Sequence, residues 1–496
     1  MVIVPAVATR LGRKETVMNN LAPIAACLLF GAIGCSGSGS TGGDPTGGGT
    51  AGPPAPTQPP PGNVTLTVTA RDAFGTAVPG AAILLFRSSG TGFLELSTLT
   101  DTNGRAEIVG GFEEVYAALV SATELEGISY DPSRPADDRI DFVVTLHPLS
   151  ALTPGVGRLS VSGSSADSRE LEFNARLYLV EGNASTDLEE WNLAAVSVLP
   201  CVPSAGNGVA DCVDGSAGFD ASYQGSTLNQ DWVDPSVASR PLAISVLLDQ
   251  GASLAVTDPA DRRLLAAKYF QTRLDADDQV LLAAFAADHE TTGDVAMLPN
   301  QPVTIFPVAN PAFTTDGRNY FSTIDSLATL EGGSSPLHAA VGELIAFTAS
   351  AAPADSRRAV VVLASGSVSD CDTLADCQVA QNELHEQSAL SDVAIVAVGL
   401  SGPSREIDRK RLGTFAQGTH GAVFWAQDAT QVPTVLGRLP EILDGRHGAV
   451  DVSIRLVSPV AGAFASGNTV VGTLRIEVCP WDCTNWADLP FALRVP

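Results

Sequence analysis

An aspartate stands at the end of a strongly apolar segment in the middle of the chain. The segment AISVLLDQGASLA covers residues 243–255, so Asp249 ends the apolar run and Ser253 comes four positions later. Carboxylate and hydroxyl oxygens are the ligands that Mg²⁺ and Ca²⁺ prefer. Gly251 lies between the two and offers no side-chain ligand. The segment therefore predicts either a divalent-metal site or the scaffold of one that has lost part of its donor set.

Six cysteines beyond the N-terminal region fall into three close pairs, which predict local disulfides in an oxidising compartment. The pairs are Cys201 with Cys212, Cys371 with Cys377, and Cys479 with Cys483. A zinc site would need histidines or a four-cysteine cluster at suitable spacing, and the sequence offers neither. The CxxxC spacing of the last pair also differs from the CxxC motif of redox enzymes.

Sequence motifs for catalysis and for nucleic-acid binding are missing. HEQSA at 385–389 lacks the second histidine of HExxH, and no GxSxG lies on a strand-to-helix turn. The chain has 55 acidic and 28 basic residues, a net charge of −27. Phosphate backbones are recognised by clustered Lys and Arg, so nucleic acid is not an expected partner. We expect a protein that is not an enzyme and that carries no cofactor.

The N-terminal 34 residues have the layout of an export signal. Three basic residues precede the apolar run LAPIAACLLFGAIG at 21–34, and Cys35 follows it. AIGC resembles the lipobox of bacterial lipoproteins, which implies cleavage before Cys35 and attachment of lipid, including palmitate, to that cysteine. The alternatives are a lipobox at IAAC (24–27), a plain secretory signal, a retained membrane anchor, and a start at Met18. By the same resemblance, Ser36 is compatible with the outer membrane of a two-membrane bacterium.

Residues 35–62 are almost wholly Gly, Pro, Ser and Thr, so we expect a tether without a core. Residues 63–148 then read as strands, with the strict alternation NVTLTVTA at the start and Asn103-Gly104 as a hairpin signal. This region resembles the small β-sandwich modules related to the regulatory domain of carboxypeptidases. The resemblance implies a spacer and says little about function.

Two further regions are rich in predicted strands. They are residues 155–240, with LEFNARLYLVEG among the candidates, and residues 447–496, with TVVGTLRIEVC. In one interpretation they form a single β-sandwich into which the region between them is inserted. In the other they are two separate β units, and the sequence does not decide between them.

Residues 241–444 alternate apolar strands with helices. Continuous apolar runs such as AVVVLASG (359–366) and VAIVAVGL (393–400) are typical of parallel strands covered on both faces. This alternation predicts a doubly wound α/β domain. The order of VLLDQGAS, EGGSSPLHAAV, RRAVVVLASG and LGTFAQGTHGAVFWAQD resembles a von Willebrand factor A (VWA) domain. We therefore expect a multidomain chain, with this α/β domain flanked by all-β modules.

The resemblance to VWA domains implies a metal-ion-dependent adhesion site at the carboxyl edge of the sheet. Asp249 and Ser253 match the first Asp and the second Ser of its DxSxS motif, and Ser335 stands at the Thr position. Gly251 and Ser365 stand where a Ser and an Asp are expected, so one hydroxyl and one negative charge are lost. Water replaces a hydroxyl ligand, but it does not replace a formal charge opposite a dication. The site is therefore predicted to be degenerate.

These observations together predict a lipid-anchored protein of the cell envelope. We expect it to bind a protein or an envelope component through the VWA domain without a metal. One alternative is adhesion that depends on Mg²⁺ or Ca²⁺ held by a weakened site. Another is a structural scaffold of the envelope with no discrete ligand.

Overall fold

A computed structural model gives the fold of the region that follows the predicted tether. Within Pro60–Pro496, which is one compact unit, the structure describes the following residues: 64–72, 74–87, 93–96, 98–110, 115–122, 125–130, 139–148, 153–180, 191–198, 202–203, 210–211, 226–233, 240–286, 301–315, 317–328, 331–365, 369–371, 374–400, 412–426, 431–445, 449–458, 461–478 and 485–496. The predicted signal peptide and tether lie outside this set.

The first described region is an all-β module. Its strands are β1 (Val64–Asp72), β2 (Ala82–Arg87), β3 (Phe93–Leu96), β4 (Arg105–Gly110), β5 (Val115–Ala122), β6 (Leu125–Tyr130) and β7 (Arg139–Pro148). Along the sheet they follow the order β3-β2-β5-β6-β7-β1-β4. Alternate residues of β1, β2 and β7 point into one apolar core that includes Leu66, Ile83 and Phe142. The period-2 pattern of the sequence accounts for this core, because it places one face of each strand inward.

The Asn103-Gly104 signal marks a turn but not a hairpin, and this corrects the expectation from the sequence. Gly104 has φ of +69°, and an added Cβ would lie 2.4 Å from the carbonyl oxygen of Ala70. Asp101 Oδ1 accepts hydrogen bonds from the backbone N–H groups of Asn103 and Arg105. The strand that follows, β4, pairs with β1 and not with β3. The sequence therefore predicts the position of this turn, whereas the two segments that flank it do not pair with each other.

The next region continues with strands and leads into the α/β part of the chain. Its strands are β8 (Thr153–Ser164), β9 (Glu170–Val180), β10 (Trp191–Val198), β11 (Val202–Pro203), β12 (Ala210–Asp211) and β13 (Ser226–Val233).

The α/β region has strands β14 (Leu242–Asp249), β15 (Gln279–Phe285), β16 (Thr304–Phe306), β17 (Arg357–Ala364), β18 (Val393–Leu400) and β19 (Ala422–Ala426). Its helices are α1 (Leu254–Thr257), α2 (Arg262–Thr272), α3 (Gly317–Leu327), α4 (Leu337–Ala351), α5 (Leu374–Ser391) and α6 (Val432–Asp444), with a 3-10 helix at Thr414–Ala416. The chain ends with β20 (Ala449–Val457), β21 (Thr469–Val478) and β22 (Asn485–Arg494).

The strands of the α/β region follow the order β16-β15-β14-β17-β18-β19, with β16 antiparallel and the others parallel. Read in chain order this is 3-2-1-4-5-6, the doubly wound arrangement whose ligand crevice lies at the carboxyl ends of the strands around the first one. One face of the sheet packs against α1, α2, α3 and α6, and the other packs against α4 and α5. The apolar runs in the sequence are explained by this burial on both faces.

Strands from the two flanking regions pair with each other and extend the same sheet. β19 pairs with β8, and the sheet then continues through β9 and β20 to β13, which makes ten strands. β10, β21 and β22 form a separate small sheet. Phe173 of β9 and Phe491 of β22 pack with ring centroids 5.3 Å apart, and both belong to the core beneath α4. The flanking strands and the α/β region therefore share one core.

None of the helices in the described part of the chain has the length and apolar character that a membrane span requires.

Candidate functional site at the carboxyl edge of the sheet

Asp249 is the last residue of β14, at the edge where doubly wound sheets bind ligands. Every residue of this strand is buried, since β15 and β17 flank it and helices cover both of its faces. The Asp249 side chain is itself 0 % exposed. A carboxylate in such a position requires partners, because an unpaired buried charge is strongly unfavourable.

The partners of Asp249 come from three different loops. Oδ1 accepts hydrogen bonds from the backbone N–H of Gly251 at 2.8 Å and from Ser335 Oγ at 2.9 Å. Oδ2 faces the backbone N–H of Ser365 at 3.3 Å and its hydroxyl at 3.4 Å. Ser253 Oγ lies 2.9 Å from Ser365 Oγ. The four side chains that the sequence pointed to therefore meet in one place, and we call Asp249, Ser253, Ser335 and Ser365 the rim cluster.

Gly251 has a structural reason to be glycine. A Cβ at this position would lie 2.2 Å from Ser335 Oγ and 3.0 Å from Asp249 Oδ1. Real Cβ atoms essentially never make a contact as short as 2.2 Å, so a serine here would push the Ser335 hydroxyl away from the carboxylate. Gly251, which lacks the ligand expected at this position of the motif, is thus the residue that allows Ser335 to bond directly to Asp249.

Burial raises the pKa of Asp249, and the hydrogen bonds from Gly251, Ser335 and Ser365 oppose that rise. The nearby positive charge of Arg263 opposes it as well. The carboxylate is therefore held by internal donors in a place that would otherwise favour its neutral form.

The rim cluster fits a divalent ion poorly. It offers one carboxylate and three hydroxyls, and both oxygens of the carboxylate already face internal donors. A dication that binds there would have to break these hydrogen bonds and would meet a single negative charge. Mg²⁺ sites with one carboxylate exist, but they rely on waters and substrate phosphates for the rest of the shell.

Arg263 lies beneath the rim cluster, and no motif in the sequence indicated it. It belongs to α2 and is 0 % exposed. Its Nε donates to the carbonyl oxygen of Asp249 at 3.1 Å, and its Nη2 donates to Gln250 Oε1 at 2.6 Å and to Glu331 Oε1 at 2.5 Å. The first loop of the rim is thereby fixed to the second, which contains Glu331.

Two aspartates complete the surroundings of Arg263. Its Nη1 lies 3.0 Å from Asp258 Oδ2 and 2.9 Å from Asp261 Oδ1. Asp258 also accepts the backbone N–H groups of Arg262 and Arg263, the first two residues of α2. Arg263 follows Arg262 in a helix that also contains Lys268, so no local pattern indicated that Arg263 would be the buried and paired residue.

The third loop docks on the start of α4. The backbone N–H of Ser369 donates to the carbonyl oxygen of Ser335 at 2.9 Å. Asp370 Oδ1 lies 3.0 Å from His338 Nδ1, and its Oδ2 accepts the backbone N–H of Ala339 at 2.8 Å. Burial opposes ionisation of Asp370, but the hydrogen bonds from His338 and Ala339 lower its pKa. The carboxylate of Asp370 is therefore paired with His338.

A disulfide joins Cys371 and Cys377, the pairing expected from their spacing. His338, Asp370 and Cys371 lie close enough to share a metal. The disulfide removes the thiolate that a metal would need, so this group is structural. The predicted lipid site Cys35 and the pairs Cys201–Cys212 and Cys479–Cys483 lie outside the described residues.

No protein-family profile matches the chain, and no curated protein sequence matches it. Solved structures do match over parts of it. An aerotolerance-related membrane protein from Bacteroides fragilis NCTC 9343 is 13 % identical, with a TM-score of 0.29 over 40 % of this chain and 98 % of that one. The ArnB paralog VWA2 from Sulfolobus acidocaldarius is 9 % identical, with a TM-score of 0.29 over 70 % of this chain and 75 % of that one.

The pilus adhesin SpaC from Lactobacillus rhamnosus GG is 10 % identical, with a TM-score of 0.33 over 68 % of this chain. The chain spans 55 % of the length of SpaC. All of these TM-scores are below 0.5, so the similarities carry no argument about function. The fold class rests on the strand order of the chain itself.

Proposed function

We propose that this protein is a non-enzymatic lipoprotein of the cell envelope, whose α/β region is a VWA-type domain that binds a protein or an envelope component. The loops at the carboxyl edge of the sheet make the contact, and they do so without a metal. The observation that carries the proposal is the closed hydrogen bonding of Asp249 within the rim cluster. Internal donors take the role that an ion would otherwise have.

Preorganisation supports the proposal. Arg263 holds the first and second loops through the carbonyl oxygen of Asp249 and the carboxylate of Glu331. The Asp370–His338 contact and the disulfide hold the third. Loops that are already fixed lose less conformational entropy when a partner binds, which favours affinity. The export signal and the Gly/Pro-rich tether supply the reason for placing the protein on the envelope.

Metal titration tests the metal-independent part of the proposal. Calorimetry with Mg²⁺, Ca²⁺ and Mn²⁺ at millimolar concentration is expected to show neither heat nor a thermal shift. The matched variant Asp249→Asn serves as control. A metal response in the natural protein that this variant abolishes would replace the proposal by metal-dependent adhesion through a weakened site.

Capture of a partner from envelope extract tests the binding surface. Ala252 is exposed beside the rim cluster, so Ala252→Arg should abolish capture while leaving the fold intact. Ala461→Arg, at an exposed position in the C-terminal flanking region, is the matched control and should have no effect. Capture should also survive EDTA. A chain that captures nothing in any form would instead favour a structural scaffold.

A further inference from the structure

A cavity of about 270 Å³ lies at the opposite, amino-terminal edge of the parallel strands. Five arginines line it, and we call it the arginine pocket: Arg158, Arg176, Arg240, Arg357 and Arg358. The whole chain has only 28 Lys and Arg against 55 Asp and Glu. A concentration of cations in one pocket therefore runs against the charge of the chain as a whole.

The fold brings these arginines together from distant parts of the sequence. Arg357 and Arg358 are the first two residues of β17, and Arg240 comes just before β14. Arg158 lies on β8 with φ of +50°, where the register with β9 shifts between Gly157 and Ser160. Irregularities of this kind change the direction of a side chain and are common beside functional sites.

The positive charges of the pocket are not fully balanced. Arg176 forms a two-fold ion pair with Asp451, with both contacts at 2.7 Å. Arg357 Nη1 lies 3.8 Å from Asp444 Oδ1, and Asp392 is the other acid that lines the cavity. Five guanidinium groups thus face three carboxylates among the described residues, which leaves an excess of two positive charges.

Arg358 has a buried donor that no acceptor among the described residues satisfies. Its Nε is buried and has no hydrogen-bond partner in the part of the chain that the structure describes. A buried donor without an acceptor is unfavourable, and more so when it is charged. Burial lowers the pKa of Arg357, and the neighbouring charges of Arg240 and Arg158 lower it further, against the effect of Asp444. The cations are thus close enough to repel each other.

We propose that the arginine pocket binds a phosphate group. A phosphate monoester carries about −1.5 to −2 charges at pH 7, close to the excess of the pocket, whereas a single carboxylate would leave about half of that excess. The planar fork of a guanidinium matches phosphate oxygens geometrically. The cavity corresponds to the liquid volume of about nine waters, which leaves room for a small organic part beside the phosphate. This site is separate from the surface of the proposed function.

Calorimetric titration of the full-length chain with inorganic pyrophosphate tests the proposal. We expect saturable binding, competed by inorganic phosphate. Arg158 and Arg240 are exposed, so the double variant Arg158→Gln/Arg240→Gln should fold normally and weaken binding by roughly tenfold or more. Arg105→Gln/Arg139→Gln, in the first β-module, changes the net charge equally and should bind as the natural chain does.

Arg358→Met gives an independent signature. It should abolish pyrophosphate binding without lowering the melting temperature of the ligand-free chain, because the guanidinium it removes has a buried Nε without a partner. A lowered melting temperature would contradict that unsatisfied state and, with it, the proposal. Pyrophosphate binding that is absent, or equal in all variants, would also overturn the proposal, as would tighter binding of a dicarboxylate such as glutarate.

Vesicles identify the source of the phosphate. One outcome is that the natural chain binds phosphatidic acid vesicles in competition with pyrophosphate, while Arg158→Gln/Arg240→Gln does not bind them. That result would assign the phosphate to a lipid headgroup. Binding of pyrophosphate without binding to these vesicles would assign it to a soluble molecule. Vesicle binding that the double variant leaves unchanged would contradict a role for the pocket.

Discussion

The two ends of the parallel sheet have opposite charge balances. At the carboxyl end, the buried carboxylate of Asp249 is surrounded by serine hydroxyls and backbone N–H groups, and the buried guanidinium of Arg263 faces three acidic side chains. At the amino end, the arginine pocket holds more positive than negative charge, and the Nε of Arg358 has no partner among the described residues. Both ends are polar and both are formed by loops and strand ends.

The two ends differ in whether their polar groups have hydrogen-bond partners and counter-charges once the chain has folded. The rim cluster satisfies its own hydrogen bonds, so a small ion would have to compete with the protein for each oxygen. Among the described residues, the arginine pocket leaves a buried donor of Arg358 and an excess of positive charge unsatisfied, so an anion that binds there supplies what the protein does not. The presence of polar residues at a sheet edge is thus a weaker sign of ligand binding than an imbalance among them.

Among the substitutions that test this comparison, removal of Arg263 should cause the largest loss of stability. Arg263→Met leaves the carboxylate of Asp258, which is 1 % exposed, without its counter-charge, and it frees both rim loops. Loss of one partner from a buried ion pair typically costs about 3–5 kcal/mol. Chemical denaturation of the natural chain and the variant measures this cost.

Arg262→Met is the control, since it removes the same charge one residue away on the same helix. Its effect should be several times smaller. Equal effects of the two substitutions would mean that the network around Arg263 does not hold the rim, and the contrast between the two ends would weaken accordingly.

The central part of the fold could be predicted from the sequence because each of its elements has a strong local signal. Apolar runs such as VAIVAVGL fit strands buried on both faces, and helical segments between them fix the alternation. The extension from β19 through β8 to β13 could not be predicted in this way. A strand with an alternating pattern indicates which of its faces is buried, but not which edge it pairs with. The same limit explains the wrong hairpin at Asn103-Gly104.

The two candidate sites differ in how visible they are in the sequence. Asp249 and Ser253 lie four residues apart after a strand, and the order of the motifs locates Ser335 and Ser365. Arg263 carried no such signal, because its partners lie on both sides of it and at Glu331. The arginines of the pocket come from positions 158 to 358, and the net charge of −27 conceals them. Only the pairing of β8, β9, β14 and β17 places them together.

The two ends can be compared only at pH values where the chain is stably folded. Protonation of His385 lowers the stability of the folded chain at acidic pH. Burial lowers the pKa of His385 to about 4, despite a hydrogen bond with the backbone of Thr414. Its Nε2 is buried without a partner in the described part of the chain. A depressed folded-state pKa means that the stability it contributes is present above pH 6.5 and is lost as the pH falls from 6.5 towards 4. The loss should reach about 3 kcal/mol at most.

Thermal melts of the natural chain and of His385→Gln at several values between pH 7 and pH 4 test this prediction. The difference between the two should shift in favour of the variant as the pH falls. A difference between the natural chain and His385→Gln that does not change with pH would show that His385 is accessible to water.

The stability lost on removing a single hydroxyl from the rim cluster should depend on whether that hydroxyl bonds a charged or a neutral group. Ser335→Ala removes a donor to a buried carboxylate and should cost about 2 kcal/mol, whereas Ser253→Ala breaks a hydroxyl–hydroxyl contact and should cost about 1 kcal/mol. Melting temperatures measured at pH 7 give the order. The reverse order would mean that Ser335 does not donate to Asp249, and the closed state of the rim would have to be abandoned.

The last effect, which depends on added metal, should come from converting the closed end into an open one. In Gly251→Ser/Ser365→Asp, the new Cβ at 251 displaces the Ser335 hydroxyl, which frees Asp249 Oδ1, and the new carboxylate stands beside Oδ2. Without metal the two acids should repel each other and lower the melting temperature. With Mg²⁺ at ten times its dissociation constant, the variant should regain about 1.4 kcal/mol, while the natural chain should not respond. Gly251→Ala/Ser365→Ala opens the same space without adding a ligand, so a metal response in that variant would show that charge is not what the rim lacks.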